Sequence, residues 1–196
     1  VKAAMFSFSR LKGADPVVGV EMASTGEVGC IAESFEGAML LAMEASRVKL
    51  PEKGILISAG DEKSKIKFLD IIDDILAFHV PIYATKGTSL FLEERGVKTI
   101  SLPWPGEGNG NVIDYIKNGG IDFVINIPKS SDLKELTRGS QIRKTSVEFG
   151  CSLITNVEKA VACIKSFSQK GPFRLNHKIK NLPGFLDNHH GNFYES

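Results

Sequence analysis

Ile55-Leu56-Ile57-Ser58 begins the part of the sequence that decides the fold. This short apolar run is typical of a buried strand, and apolar residues recur at helical spacing in the segment Lys65–Phe78 that follows it. The same alternation then repeats, with further strands predicted at Pro81–Ala84, Val97–Leu102, Asp122–Asn126 and Cys151–Ile154. Strand and helix in alternation predict an α/β fold, a three-layer sandwich in which helices cover both faces of a five-stranded parallel sheet.

The predicted helices follow the strands in turn. In the helix at Lys65–Phe78, we expect Ile66, Leu69, Ile72, Ile75 and Leu76 to face the core. Later helices are predicted at Ser89–Arg95, before Asn118-Gly119-Gly120, at Ser140–Phe149 and at Asn156–Ser168.

The chain divides near Leu50–Gly54. Residues 1–50 contain two strand-like runs and a helix over Ser34–Val48, with Ser34 as its cap. Because so few elements cannot bury a core of their own, we expect them to pack against sequence outside this chain. After residue 168 the periodicity disappears. The sequence therefore predicts three parts, at residues 1–50, 51–168 and 169–196.

Composition limits the classes of function. The 196 residues are 42% hydrophobic and 24% charged, with a formal net charge of +1, which argues against disorder and against a basic nucleic-acid surface. Three cysteines without a CxxC pair, Cys30, Cys151 and Cys163, argue against a disulfide framework or a structural zinc site. Unpaired cysteines are typical of a reducing compartment, and we expect the cytosol, with the mitochondrial matrix as the alternative.

Ligands of parallel α/β sheets bind at the carboxyl ends of the strands. The residues at those ends are rich in hydroxyl, amide and glycine groups, which hold small polar molecules and anions. They are Ser58–Asp61, Thr85–Thr88, Pro103–Asn111, Asn126–Ser131 and Thr155-Asn156. A purely structural interpretation stays open: Thr85, Thr88 and Asn126 would cap helices, Trp104 would cover the core, and Lys129 would be solvated.

Several motifs resemble the large subunit of carbamoyl-phosphate synthetases. Residues Ala14–Val28 resemble the end of its second ATP-grasp unit. Its C-terminal regulatory domain, which is methylglyoxal-synthase-like, is similar to this chain at Ala84–Thr88, Ile116–Gly119, Val124–Pro128 and Ile142–Thr145. The resemblance covers residues 1 to about 168. It implies the remnant of an ATP-grasp domain at residues 1–50, followed by the regulatory domain.

The family makes carbamoyl phosphate from bicarbonate, ATP and ammonia. The resemblance implies that this chemistry, with its ATP and Mg, belongs to ATP-grasp domains of the same protein, so that this chain contains no catalytic residue, cofactor or metal. The implied partners are those upstream domains, a glutamine amidotransferase and a small anionic effector. The implied effector-binding residues are Thr85, Lys86, Thr88, Trp104, Asn126 and Lys129.

The identity of the effector is left between a nucleotide and N-acetylglutamate. Trp104 resembles the N-acetylglutamate-responsive branch, which would imply the urea cycle. That branch has asparagines where this sequence has Lys129-Ser130-Ser131 and Gly139, so two of its ligands are absent. Lys129 suits a phosphate, as a nucleotide effector in pyrimidine or arginine synthesis would provide.

Residues Asn181–Gly191 resemble the opening of a dihydroorotase domain. In that domain two histidines at two-residue spacing hold zinc, whereas here His189 and His190 are adjacent and Gly191 takes the second ligand position. The sequence therefore predicts a degenerate start of such a domain, without a working metal site.

Two other functions remain as alternatives. A methylglyoxal synthase-type lyase needs two carboxylates, and this sequence has Asn109 and Lys129 at those places. A stand-alone phosphate-binding module would have no use for residues 1–50. Both alternatives are therefore less favoured than the regulatory domain.

Overall fold

The computed structural model of the chain describes residues 1–5, 16, 26–128 and 133–168. Its elements in order are β1 (Lys2–Met5), β2 (Gly26–Gly29), α1 (Phe35–Ala45), β3 (Ile55–Ala59), α2 (Glu62–Leu69), α3 (Ile72–Leu76), β4 (Ile82–Thr85), α4 (Lys86–Glu93), β5 (Ile100–Leu102), α5 (Val112–Lys117), β6 (Phe123–Ile127), α6 (Leu133–Glu148), β7 (Ser152–Ile154) and α7 (Val157–Ser168).

Strands β3 to β7 form one parallel sheet in the order β5-β4-β3-β6-β7. Strands β3 and β6 are buried along their whole length and are apolar except at Ser58 and Asn126, because helices cover both of their faces. Strands β1 and β2 form a separate antiparallel pair. The predicted α/β fold with a five-stranded parallel sheet is confirmed.

The helices divide between the two faces of the sheet, and each face has its own core. On one face, Leu40 and Met43 of α1, Phe68 of α2, Ile75 of α3, Phe91 of α4 and Ile164 of α7 pack against alternate strand residues such as Ile57 and Ile125. On the other, Ile116 of α5 and Ile142 of α6 pack against Leu56 and Val124. Two-residue alternation along the strands thus sends neighbouring side chains to different cores.

Side chains mark where several helices begin. Ser34 accepts a hydrogen bond from the Gly37 backbone N–H (3.1 Å), as the sequence predicted for a cap of α1. Asp61 caps α2 by accepting from the N–H and hydroxyl of Ser64 at 2.8 and 2.6 Å. The Ser64 hydroxyl is also the main reason that the pKa of Asp61 lies below its usual value.

Helix α1 packs against α7 and contributes to the core of the sandwich. The loop after α1 is joined to β7, because the Ser152 hydroxyl accepts from the Lys49 N–H (2.8 Å) and donates to the Lys49 carbonyl (3.0 Å). Part of residues 1–50 therefore packs within this chain. The domain boundaries remain predictions, and the ATP-grasp motif and the dihydroorotase-like tail lie outside the described residues except for Pro16 and residues 26–28.

The structure corrects three helix predictions. The helix expected at 65–78 is two helices, because the chain turns at Ile71 (φ −129°, ψ 12°) and buries that side chain. The break ends the continuous stripe, so the expectation that Ile66 and Leu76 face the core is wrong: they are 50% and 44% exposed. Helix α4 begins at Lys86 and α6 at Leu133, both earlier than predicted.

Among the described residues, no helix is long and apolar enough to cross a membrane. Cys30, Cys151 and Cys163 are free thiols.

Candidate functional site

Three polar side chains lie next to one another at the carboxyl ends of the central strands. Ser58 of β3 is directly opposite Asn126 of β6, and Thr85 of β4 donates a hydrogen bond from Oγ1 to Ser58 Oγ at 3.3 Å. All three are 2–3% exposed. They face the α5 and α6 side of the sheet, because the residues two positions earlier in each strand belong to that core: Leu56, Tyr83 and Val124.

This cluster lies at the point where the direction of the sheet reverses. From β3 the chain proceeds outward to β4 and β5, and then returns to the other side of β3 for β6 and β7. At such a switch point the loops after adjacent strands diverge to opposite faces and leave a crevice, which is where ligands bind in open α/β sheets. The structure therefore brings Thr85 and Asn126 together as the sequence predicted.

Arg143 of α6 completes the cluster, and sequence reasoning missed its role. Its side chain is 2% exposed, and its Nη1 donates a hydrogen bond to Asn126 Oδ1 at 2.7 Å. Its place on α6 becomes a signal only once that helix is known to begin at Leu133. The buried residues of α6 recur at i, i+3, i+4 and i+7, and an arginine on such a stripe faces the sheet. The stripe is Gly139, Ile142, Arg143 and Ser146.

Gly139 makes room for this arginine. A Cβ at position 139 would lie 2.9 Å from Arg143 Nη1 and 3.5 Å from Asn126 Oδ1. The guanidinium therefore lies across the backbone of α6, where any other residue would crowd it.

Thr88 joins the start of α4 to the end of β3. Its Oγ1 accepts from the Ala59 N–H at 3.1 Å and donates to the Ala59 carbonyl at 3.3 Å. Thr85 is the N-cap of α4, yet its side chain makes no capping hydrogen bond, because its hydroxyl is directed to Ser58. The Thr85 side chain thus leaves the first-turn N–H groups of α4 available to another acceptor.

Lys86 is exposed on the first turn of α4 and does not belong to the buried cluster. Nearby, Lys65 of α2 donates from Nζ to the Gly87 carbonyl at 3.2 Å. Lys129 lies outside the described residues.

Trp104 lies in the loop that follows β5. Its side chain is half-buried and packs against the core beneath α5 and α6, the face that the cluster also occupies. Asn109, at the place of a lyase carboxylate, is exposed in the same loop.

The side chains of the cluster are of types that can bind an anion. Within the part of the chain that the structure describes, Arg143 is the one charged side chain among the buried polar residues, and the others are neutral serines, threonines and Asn126. Such a set offers a guanidinium fork and hydroxyl and amide groups to carboxylate or phosphate oxygens. Among the described residues, the buried polar set contains no carboxylate.

A cavity of about 300 Å³ lies at the opposite, amino end of the strands, lined by residues that include Lys53, Lys117, Asp122, Phe149 and Cys151. Asp122 has a structural role there. Its carboxylate accepts from the N–H groups of residues 52–54 at 3.0 to 3.2 Å and fixes the turn that leads into β3.

Comparison with known proteins gives a family match and several longer relatives. The MGS-like domain family matches residues 67–155. The chain is 38% identical over 203 residues to the multifunctional protein pyr1-3 of Dictyostelium discoideum, covering 96% of this chain and 9% of the relative. It is 35% identical over 213 residues to the multifunctional protein CAD of Squalus acanthias, covering 96% and 10%.

The mitochondrial carbamoyl-phosphate synthase (ammonia) of Aquarana catesbeiana is 38% identical over 162 residues, which cover 81% of this chain and 11% of the relative. The chain thus spans about a tenth of the length of these relatives, and the resemblance to carbamoyl-phosphate synthetases is confirmed. Residues 67–155, which contain Thr85, Asn126 and Arg143, belong to the MGS-like domain family, in a chain that matches one segment of these multifunctional proteins and synthases.

Proposed function

We propose that the cluster of Ser58, Thr85, Thr88, Asn126 and Arg143 binds a small anionic effector that regulates a carbamoyl-phosphate synthetase. The observation that carries this proposal is the buried Arg143, held by Asn126 at the switch point of the sheet. A guanidinium can bind a carboxylate or phosphate through two parallel hydrogen bonds, and this position places it beside the hydroxyl and amide groups of the strand ends. The hydroxyls and the uncapped first turn of α4 supply further donors.

A nucleotide phosphate is the effector that we favour over N-acetylglutamate. Gly139 replaces an asparagine of the N-acetylglutamate-responsive branch, and Arg143 occupies the space that such a side chain would need. The planar fork of an arginine matches two oxygens of a phosphate or of a carboxylate, so the preference for a nucleotide rests on Gly139 and on the relatives. Two of the relatives with 96% coverage of this chain are multifunctional proteins, and this supports a role in pyrimidine synthesis.

Regulation would act through the packing of this domain against the synthetase. Catalysis would take place in ATP-grasp domains of the same protein, which hold ATP and Mg. The effector need only bind two arrangements of the domains with different affinity to shift their populations. Helix α1 packs on α7 and also contacts β1 and β2, so we propose it as the element that transmits such a shift.

Titration of the 196-residue chain tests the proposal. UMP, UTP, IMP, phosphoribosyl pyrophosphate and N-acetylglutamate are added in turn, while Trp104 fluorescence and the free energy of unfolding are measured. An effector at 100 times its Kd should stabilise the chain by about 2.7 kcal/mol. We expect a saturable response to a nucleotide, lost in Thr88→Val and in Arg143→Met.

Thr99→Val is the matched control. Its hydroxyl also makes two hydrogen bonds, to Ser89 (2.6 Å) and Glu93 (3.0 Å), and Thr99 is not part of the cluster. This variant should lose a similar amount of stability and keep the wild-type affinity. Saturable binding that survives in Arg143→Met would contradict the proposed site. A full-length synthetase whose rate ignores every candidate effector would contradict the regulatory role.

A further inference from the structure

The loop over residues 103–110 packs against the core through Trp104, whereas its glycines make few steric contacts. Gly106, Gly108 and Gly110 all have positive φ, at 84°, 106° and 72°, and a Cβ at any of them would meet nothing within 4 Å. Steric contacts therefore restrain residues 106–110 little, and polar contacts contribute to holding this part of the loop.

Glu107 makes the central contact. Its N–H donates to the Trp104 carbonyl at 3.0 Å, and its Oε2 accepts from the Trp104 N–H at 3.2 Å. Its Oε1 accepts from Arg138 Nη1 at 2.8 Å. Arg138 immediately precedes Gly139 on the helix that also supplies Arg143. One carboxylate thus joins the backbone of Trp104 to α6.

We propose that Glu107 is a positioning residue: its ion pair with Arg138 latches the Trp104 loop onto α6 and thereby sets the affinity for the effector. Only the effect on effector affinity rests on the proposed function, because the ion pair between Glu107 and Arg138 is present without a ligand. A loop freed from α6 would have to be ordered again when the effector binds, and that ordering reduces the affinity.

The expected effect is modest because the pair is partly exposed, with side-chain exposures of 38% for Arg138 and 43% for Glu107. Exposed pairs change equilibria by about 1.5- to 5-fold when one partner is removed. Glu107→Gln is the informative variant, since an amide oxygen can still accept from the Trp104 N–H while the charge that attracts Arg138 is lost.

The first test uses the ligand-free chain. Trp104 is its one tryptophan, so quenching of the emission by acrylamide reports on this loop alone. We expect quenching to rise in Glu107→Gln and in Arg138→Met, by up to about fivefold if only the open loop is quenched. The double variant should equal either single variant, and about 1 M NaCl should raise quenching in the wild type, because salt screens an exposed pair.

Glu94→Gln removes another exposed ion pair, the 3.6 Å contact of Glu94 with Arg95, and should leave the quenching unchanged. Thermal unfolding checks that every variant is folded. Quenching that is the same in Glu107→Gln and wild type, or that adds fully in the double variant, would refute the latch.

The second test measures effector affinity, using whichever nucleotide the wild type binds. We expect Glu107→Gln to weaken binding about 1.5- to 5-fold, with Glu94→Gln unchanged. Increased quenching with unaltered affinity would overturn the positioning role. If the wild type binds no effector, the proposed function fails, while the quenching experiment still decides whether the latch exists.

Discussion

Replacing Gly139 by alanine tests how firmly Arg143 is held in the site. In the middle of a helix this replacement ordinarily stabilises by about 1 kcal/mol, because glycine loses more backbone entropy on folding. Here the new Cβ would lie 2.9 Å from Arg143 Nη1, so the guanidinium has to move away from Asn126. A hydrogen bond to a charged group contributes about 1.5 to 3 kcal/mol. We therefore expect a net destabilisation of about 0.5 to 2 kcal/mol.

The assay is urea unfolding at 25 °C, with the slope checked for constancy so that a shifted midpoint reports stability. Gly87→Ala in α4 is the control, since its Cβ would meet nothing closer than Lys65 Nζ at 3.8 Å. It should be neutral or stabilising. In an Arg143→Met background the clash is relieved, and Gly139→Ala should there recover most of the gain of about 1 kcal/mol.

The sign of the stability change in Gly139→Ala decides whether Arg143 requires a glycine at position 139. If Gly139→Ala stabilises the otherwise unaltered chain by about 1 kcal/mol, then Arg143 accommodates a side chain at no cost. The bond between Arg143 and Asn126 would then not define the site. The reasoning that Gly139 is required by the arginine would be refuted.

Three further predictions concern the scaffold. Ser34→Ala should lower the free energy of unfolding by about 1 kcal/mol in urea, through loss of the cap of α1. Asp122→Ala should cost about 2 kcal/mol by the same measurement, because the N–H groups of residues 52–54 lose their acceptor. Burial raises the pKa of Cys163 from 9.0 to about 11. The unfolded chain then loses its thiol proton first, so stability should fall from pH 9 towards 11, less steeply in Cys163→Ala.

The sheet was predictable from sequence because its strands carry two independent signals. Ile55–Ile57 and Phe123–Ile125 are apolar throughout, and each is followed by a hydroxyl or amide residue near the strand end, Ser58 or Asn126. Because the strands are parallel, their carboxyl ends meet at one edge of the sheet, and Thr85 and Asn126 are predicted there. The break at Ile71 was not predictable, because Ile66, Leu69 and Ile72 continue a helical spacing through it. Tertiary burial of Ile71, at 1% exposed, overrides that local pattern.

Arg143 was harder to find for a different reason. Arginine in a helix is usually at the surface, and its place on the buried stripe becomes evident only once α6 is known to begin at Leu133. The sequence prediction began that helix at Ser140, which left Gly139 outside it. Contacts across the fold, such as that of Glu107 with Arg138, join residues far apart in sequence and follow no local spacing.

The order in which the cluster is assembled along the chain has a kinetic consequence. Ser58 and Thr85 come from the first half of the sandwich, and Asn126 and Arg143 from the second, so the site does not exist until β3 has paired with β6 and α6 has docked. Contacts so distant in sequence are made late, since the loop between them must first be closed. A ligand of this cluster should therefore slow the unfolding limb of a chevron plot and leave the folding limb unchanged.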